Sequence, residues 1–518
     1  MQSDSIEALF ARYGPAYRWL ACATVMLGTI SAVLTTTSVN VAIPDIMGAF
    51  GIGQDRAQWL STGALAAMTI GMLLNSWLLK SFGQRRTFIG ALMIFVVALL
   101  VAGASPNENV LIICRIAQGA IAGILQPLAM YTLFKVFPSD QRGTAMGLFG
   151  MSVILGPAFG PTLGGILIEH FNWRYVFYVA VPFSLAGILL GSVFMPEREE
   201  TGQRDDFDWI GFLFLAVGMG ALLSGLSNGQ REGWDSNFIV TLLAVACVSG
   251  ALFFWWENRV DQPLVQLKVL FNGRFASAGA VACLFGAGLF GSVYLVPLFV
   301  QTVQGYTPLA AGKLLAPAGI MLGLFMPIGG YLSDHVPARA LVVSGLLCFA
   351  LSSYVLAEVD VNMPFWTMAW AVVLSRIGLG LIKPSLNVTA LRALPPEYLT
   401  QGAGLINFAR QLGGAFGVNL LSVTLDRRTF FHSDTITGMQ TAGNSGTAEL
   451  LRQVESLLSQ AGVAEDVLRQ TALHYLGRII HAQAYTMGFQ DAFLITAVLF
   501  TLGLIPAWIM GRTSEGAR

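Results

Sequence analysis

The feature that most constrains this chain is the length of its apolar runs. A helix needs about 20 predominantly apolar residues to cross the hydrocarbon core of a bilayer. Runs of that kind occupy approximately 19–43, 57–79, 87–104, 109–134, 144–168, 174–194, 209–227, 237–256, 276–303, 309–333, 339–357, 364–392, 402–424 and 487–511. The fourteen runs predict fourteen membrane helices. A membrane β-barrel is excluded, because it would need short alternating segments rather than continuous apolar ones. Charge agrees: only 11% of the 518 residues are Asp, Glu, Lys or Arg, where a soluble domain carries roughly a quarter. The chain therefore reads as an all-α integral membrane protein, not a cytosolic enzyme, a secreted domain or a disordered segment. Its 29 basic and 29 acidic residues balance, which argues against nucleic acid as a partner, since a phosphate-binding face needs a basic excess. The five cysteines lie in apolar runs, without metal-ligand spacing or the even count of a disulfide framework.

Lys and Arg in the loops set the orientation. With the N-terminus inside, sixteen of them, among them Arg12, Lys80, Arg85, Arg86, Arg142, Arg339 and Arg392, fall in inner loops and tails. The short outer loops hold three: Arg56, Arg174 and Arg231. Both termini are expected in the cytoplasm, at residues 1–18 and 512–518. A long outer loop over 425–486 is the one sizeable water-exposed part, with helical periodicity from about 447 to 480.

The chain repeats itself. LGPAFG at 155–160 answers LGGAFG at 412–417, and GILQPLAMYTL at 123–133 answers GLIKPSLNVTAL from 380, both at an offset of 257. SWLLK at 76–80 answers GYLSD at 330–334. Six-helix bundles are thus expected over 19–194 and 276–511, separated by a linker over 195–275 that contains two inserted helices. Repeated halves build a transporter around a midplane site at their interface.

RIAQGAIAG (115–123), GPAFGPTLGG (156–165), FNWRYVFYVAVP (171–182) and NFARQLGGAFG (407–417) resemble the major facilitator superfamily, in its fourteen-helix drug:proton antiporter branch of the EmrB/QacA type. The resemblance spans essentially the whole chain. It implies two six-helix pseudo-repeats plus two inserted helices, alternating access, a proton as coupling ion and no other cofactor. It also brings in a periplasmic adaptor and an outer-membrane channel, with which relatives of this type work.

Gly156, Gly160 and Gly164, with Pro157 and Pro161, recur every fourth residue and so share a helix face. By resemblance this antiporter motif, with Gly165, lies at the seam between the halves. In the superfamily the cytoplasmic loop carries an Asp that latches the outward-open state. Asp334 with Arg339 keeps that place in the second half, while the first half has Lys80 and Ser76 where the acid and a glycine are expected. Charges inside a membrane are costly and need a reason. Arg115 sits six residues into its helix with Gln118 a turn away, and by resemblance is the arginine of proton coupling. Arg376 and Lys383, seven apart, project from a similar face, which Asn387 extends. With Gln126, Asn407, Arg410, Asn40 and Thr35 they are the candidate cavity residues. Thr35 stands where this branch usually has an acid on the first helix, and Asp491 is the one acid well inside a span. Without the first-helix acid, the cavity is expected to favour neutral or anionic amphipathic compounds.

The leading expectation is a proton-driven exporter of drugs or toxic amphipaths in the inner or plasma membrane. A dedicated exporter of one organic acid or natural product, and a non-transporting receptor or scaffold, are the alternatives. The absence of a G-x-x-x-x-G-K-[ST] loop argues against direct ATP drive. No nucleophile and base stand together in the outer loop, so enzymatic activity is not expected.

Overall fold

The computed structural model describes residues 5–197, 206–441 and 443–510, apart from the side chains of residues 55, 155, 157, 158, 161 and 308. The described part of every apolar run is helical, with short breaks at 179–180 and at Gly503. A short amphipathic helix α1 (Ile6–Tyr13) leads into α2 (Tyr17–Phe50), α3 (Gln54–Phe82), α4 (Gln84–Gly103), α5 (Glu108–Val136), α6 (Arg142–His170), α7 (Tyr175–Tyr178) and α8 (Val181–Phe194). Then come α9 (Trp209–Glu232), α10 (Asn237–Glu257), α11 (Leu267–Leu270), α12 (Gly273–Thr302), α13 (Pro308–His335), α14 (Ala338–Leu356) and α15 (Phe365–Arg392). The chain ends with α16 (Leu399–Met439), α17 (Ser445–Gln460), α18 (Glu465–Leu502) and α19 (Leu504–Met510). Among the described residues, twelve helical stretches are long and apolar enough to span a bilayer. The other two of the fourteen runs lie on α6 and on α16, whose apolar length is interrupted by Asn407, Arg410, Gln411 and Asn419.

Helices α2 to α8 pack on one another, as do α12 to α16 with α18. The two groups meet along two main seams, α6 against α13 and α3 against α16. The inserted pair α9 and α10 pack together, and α9 lies against α3 and α16. The large apolar side chains left exposed, such as Leu189, Val240, Val248 and Trp370, are the lipid-facing surface expected where the solvent is hydrocarbon.

One expectation changes. The 425–486 stretch is not a loop: α16 runs unbroken for 41 residues and α18 for 38, so both helices continue past their apolar segments and are joined through α17. Once a helix is nucleated each further residue adds a backbone bond, and no proline or capping glycine stops α16 before Met439. The end of the bundle that carries Lys80, Arg142, Asp334 and Arg392 is called the basic end below.

Candidate functional site: a buried cationic layer and two unequal seams

Near the middle of the seams lies a layer of polar side chains drawn from both halves. Arg410 on α16 donates from Nη2 to Gln126 Oε1 on α5 at 2.9 Å, a bond between the halves. One turn earlier on α16, Asn407 Nδ2 contacts Met130 Sδ on α5 at 3.4 Å and donates to Ala403 O at 2.9 Å. Lys383 on α15 points across to α6, where its ammonium lies 5.4 Å from the centre of the Phe149 ring. Lys383, Asn387, Asn407, Arg410 and Gln126 are all at least 94% buried. The layer is under-satisfied: Asn387 Nδ2 and Arg410 Nε are buried without partners. Lys383 also has no hydrogen bond among the described residues. No described carboxylate pairs with Arg115, Arg376, Lys383 or Arg410. Uncompensated buried cations are costly.

Arg376 does not join this layer. It donates to Ser292 Oγ on α12 at 2.8 Å, within the second half. Seven residues keep two side chains on one helix face but separate them by about 10 Å along the axis. Arg376 and Lys383 therefore meet different neighbours.

Nearer the basic end the seams are built differently. On the α6–α13 seam Asp334 takes three hydrogen bonds: Gly143 N–H at 2.6 Å, Thr144 N–H at 2.8 Å and Thr144 O–H at 2.8 Å. A carboxylate on the free N–H groups of a helix start is the arrangement favoured by the helix dipole. Just above it the helices touch backbone to backbone, and a side-chain carbon added at Gly147 would sit 2.5 Å from Met326 O and 3.0 Å from Gly330 Cα. Arg339 is not part of this latch; its guanidinium stacks 3.2 Å over Trp508 of α19. Among the described residues, the α3–α16 seam carries a pair of hydroxyls, Ser76 and Thr400, 3.2 Å apart.

The antiporter-motif glycines are placed elsewhere than expected. Gly156, Gly160 and Gly164 face Val33, Thr37 and Ser38 of α2, inside the first half. Thr37 O–H donates to Gly156 O and Ser38 O–H to Gly160 O, each at 2.9 Å. The seam uses Gly143 and Gly147 of the same helix, because a helix start four turns from the motif meets a different neighbour. Gly165 has open space where a side chain would begin, and the Pro157 and Pro161 side chains lie outside the described residues.

Arg115 is 1% exposed and ties three first-half helices. It donates to Leu60 O on α3 at 3.1 Å and to Gln118 Oε1 at 3.2 Å, and Gln118 donates to Ala98 O on α4 at 3.1 Å. Thr35 is buried with its hydroxyl bonded to Ser31 O of its own helix, so it does not reach the polar layer. Asn40 is exposed and accepts from Ser61 O–H. Asp491 joins α18 to α16 through Arg428 at 2.5 Å and His432 at 2.6 Å. Sequence reasoning missed Gly143, Thr144, His432 and Thr400. The four-residue spacing of Gly143 and Gly147 was a readable sign of close helix approach; the others carry no local signal.

The model of the Major Facilitator Superfamily matches residues 25–418. The chain belongs to that superfamily. Within it, the chain is 30% identical over 485 residues to the multidrug export protein EmrB of Escherichia coli, covering 93% of both chains. It is 30% identical over 502 residues to the fatty acid resistance protein FarB of Neisseria gonorrhoeae, 96% of both. It is 26% identical over 395 residues to the lincomycin resistance protein LmrB of Listeria monocytogenes, 76% of this chain and 84% of that one. Among solved structures, the human organic anion transporter MFSD10 superposes with a TM-score of 0.62 at 13% identity, covering 95% of this chain and 99% of that one. The proton:xylose symporter XylE superposes at 0.60 and 13%, covering 96% of each. Those structures share the fold.

Proposed function

We propose that this chain is a proton-motive-force-driven exporter of toxic amphipathic compounds, working by alternating access in a bacterial inner membrane with both termini in the cytoplasm. Kinship to EmrB, FarB and LmrB supports export of drugs and toxic compounds. The excess of Lys and Arg at the basic end supports the orientation. A periplasmic adaptor and an outer-membrane channel are its proposed partners, after the EmrB-type resemblance.

The observation that carries the substrate reading is the layer of Lys383 and Arg410 with Gln126 and Asn387, buried at the interface without a carboxylate. An anionic head group supplies the missing acceptor, and the surrounding apolar helices take its tail. A cation there meets like charge. At an effective dielectric of about 20, a unit charge about 8 Å away costs roughly 2 kcal/mol, more than tenfold in affinity. Acidic and neutral amphipaths are therefore exported in preference to quaternary cations. The test is a susceptibility and transport panel in a pump-deleted host, comparing fatty acids and acidic uncouplers with neutral drugs and cationic dyes. Lys383→Gln is expected to lower transport of the acids about tenfold or more while neutral compounds change less than about twofold. Ethidium-like cations as the best substrates, or equal losses for acids and neutral compounds, would overturn the reading.

A further inference from the structure

The inserted helices α9 and α10 end in a pair of buried carboxyl groups that the transport reading does not use. Asp208 precedes α9 and Glu257 closes α10, and they are only 8% and 5% exposed, so both are more than nine-tenths buried. Each has one satisfied oxygen. Asp208 Oδ1 accepts from Gly211 N–H and from the Trp256 indole, both at 2.9 Å, and Glu257 Oε2 accepts from Val265 N–H at 3.2 Å. The other oxygens, Asp208 Oδ2 and Glu257 Oε1, have no partner. Both crowd one spot over Gly211: a methyl group there would collide with Asp208 Oδ2 and lie 3.0 Å from Glu257 Oε1. Two buried carboxyl groups with spare lone pairs at one spot repel when both are ionised, and one proton on the pair removes that repulsion.

This pair stands beside the weaker seam. Residues 258–266, which connect α10 to α11, form a strap over the start of α16: Gln401 donates to Leu264 O at 3.2 Å and accepts from Gln266 N–H at 3.3 Å. Gln401 follows Thr400, the partner of Ser76. A cavity of about 210 Å³ at the basic end reaches Asp208 and is bordered by Asp206, Asp261, Lys80, Trp77 and Gln401. Among the described residues, the charged groups around the pair are Asp206 ahead of α9, Arg259 (stacked on Trp255) and Asp261 on the strap, and Lys80 from α3; α16 offers the uncharged Gln401.

We propose that Asp208 and Glu257 form a proton-binding site open to the basic-end compartment, and that its proton holds the strap closed over the α3–α16 seam. The proton enters from water through the cavity and sits on the pair beside Gly211. Its loss leaves two facing negative charges, Glu257 moves away from Asp208, and the strap loses its anchor at Val265. Alkaline conditions on that side thus loosen the seam that lacks a carboxylate latch.

The experiment needs no substrate and so stands apart from the export reading: hydrogen exchange of full-length purified protein in lipid nanodiscs, read at the strap amides. If opening releases one proton, strap protection in the wild type falls about tenfold per pH unit beyond the intrinsic exchange rate, over the window between the titration of the opened strap and that of the closed pair, and levels off above it. Glu257→Gln and Asp208→Asn keep the shape, and the amide supplies the donor that the proton provided. Each is expected to abolish the extra pH dependence while leaving the rest of the exchange map unchanged. Each is also expected to remove one protonated-carboxyl band from the infrared spectrum. A wild-type strap without the extra slope, a slope retained in both variants, or unchanged infrared bands would overturn the proposal.

Discussion

The two seams at the basic end occupy equivalent places in the repeat yet are held by different chemistry. Across α6 and α13, Asp334 caps a helix start with three bonds while Gly143 and Gly147 let the backbones touch. Across α3 and α16 the acid position is Lys80, and closure rests on the Ser76–Thr400 hydroxyls, on Gly404 packed against Met72 O, and on the strap bonds of Gln401. Charge-assisted bonds are worth about 1.5–3 kcal/mol each and neutral ones about 1. One seam therefore closes on a fixed charge, and the described polar contacts across the other are neutral and supplemented by the inserted helices. In a duplicated fold, an element lost from one copy can be replaced by a segment that has no counterpart in the other.

The sharpest way to break this asymmetry is Gly147→Leu. A side chain there enters the space of Met326 O and Gly330 Cα, so the basic end cannot close on the α6–α13 side. Transport is expected to fall about a hundredfold or more at unchanged membrane expression, because backbone atoms cannot yield as side chains do. The control is Gly165→Leu on the same helix, where nothing stands within 4 Å and transport is retained. Next in size is Asp334→Asn. It keeps an acceptor but turns an NH₂ donor toward the N–H groups of Gly143 and Thr144 and removes the charge at the helix start. About 2 kcal/mol of closure is lost, some thirtyfold in the closed-to-open ratio. Reagent access to a cysteine introduced at Ser333, a residue 7% exposed on this seam, measures it. The smallest effect is expected from Ser76→Ala. One neutral hydroxyl bond is worth about 1 kcal/mol, so access at the α3–α16 seam changes about fivefold or less. An effect of Ser76→Ala equal to that of Asp334→Asn would show that the seams do not differ as described.

Much of the site was legible because it is made of residues that hydrocarbon penalises. Arg115, Lys383, Asn387, Asn407 and Arg410 stand out in apolar runs whatever the fold, and all are buried. Their partners were not legible. Gln126 meets Arg410 across 284 positions, and Arg376 turns to Ser292 rather than to the layer of Lys383. Arg339 leaves the latch for Trp508, and the glycines of the antiporter motif pack on α2 while two others make the seam. The long extensions of α16 and α18 were hidden because membrane reasoning stops where apolarity stops, whereas a helix does not.

By itself the sequence determined the solvent, the helices and the repeat. Twenty-residue apolar runs have no other stable use, because an unpaired backbone in lipid is prohibitive and each helix satisfies its own. The sequence also placed Arg115, Arg376, Lys383 and Arg410 inside apolar runs. Only the tertiary structure decided which helix faces which, and therefore that Asp334 caps α6, that the first-half counterpart is a hydroxyl pair under a strap, and that Asp208 and Glu257 face each other 49 residues apart in the chain. In a helix bundle such pairings depend on small residues that admit one neighbour and exclude another, and on connections that return a distant segment to the same end; neither leaves a periodic trace in the chain.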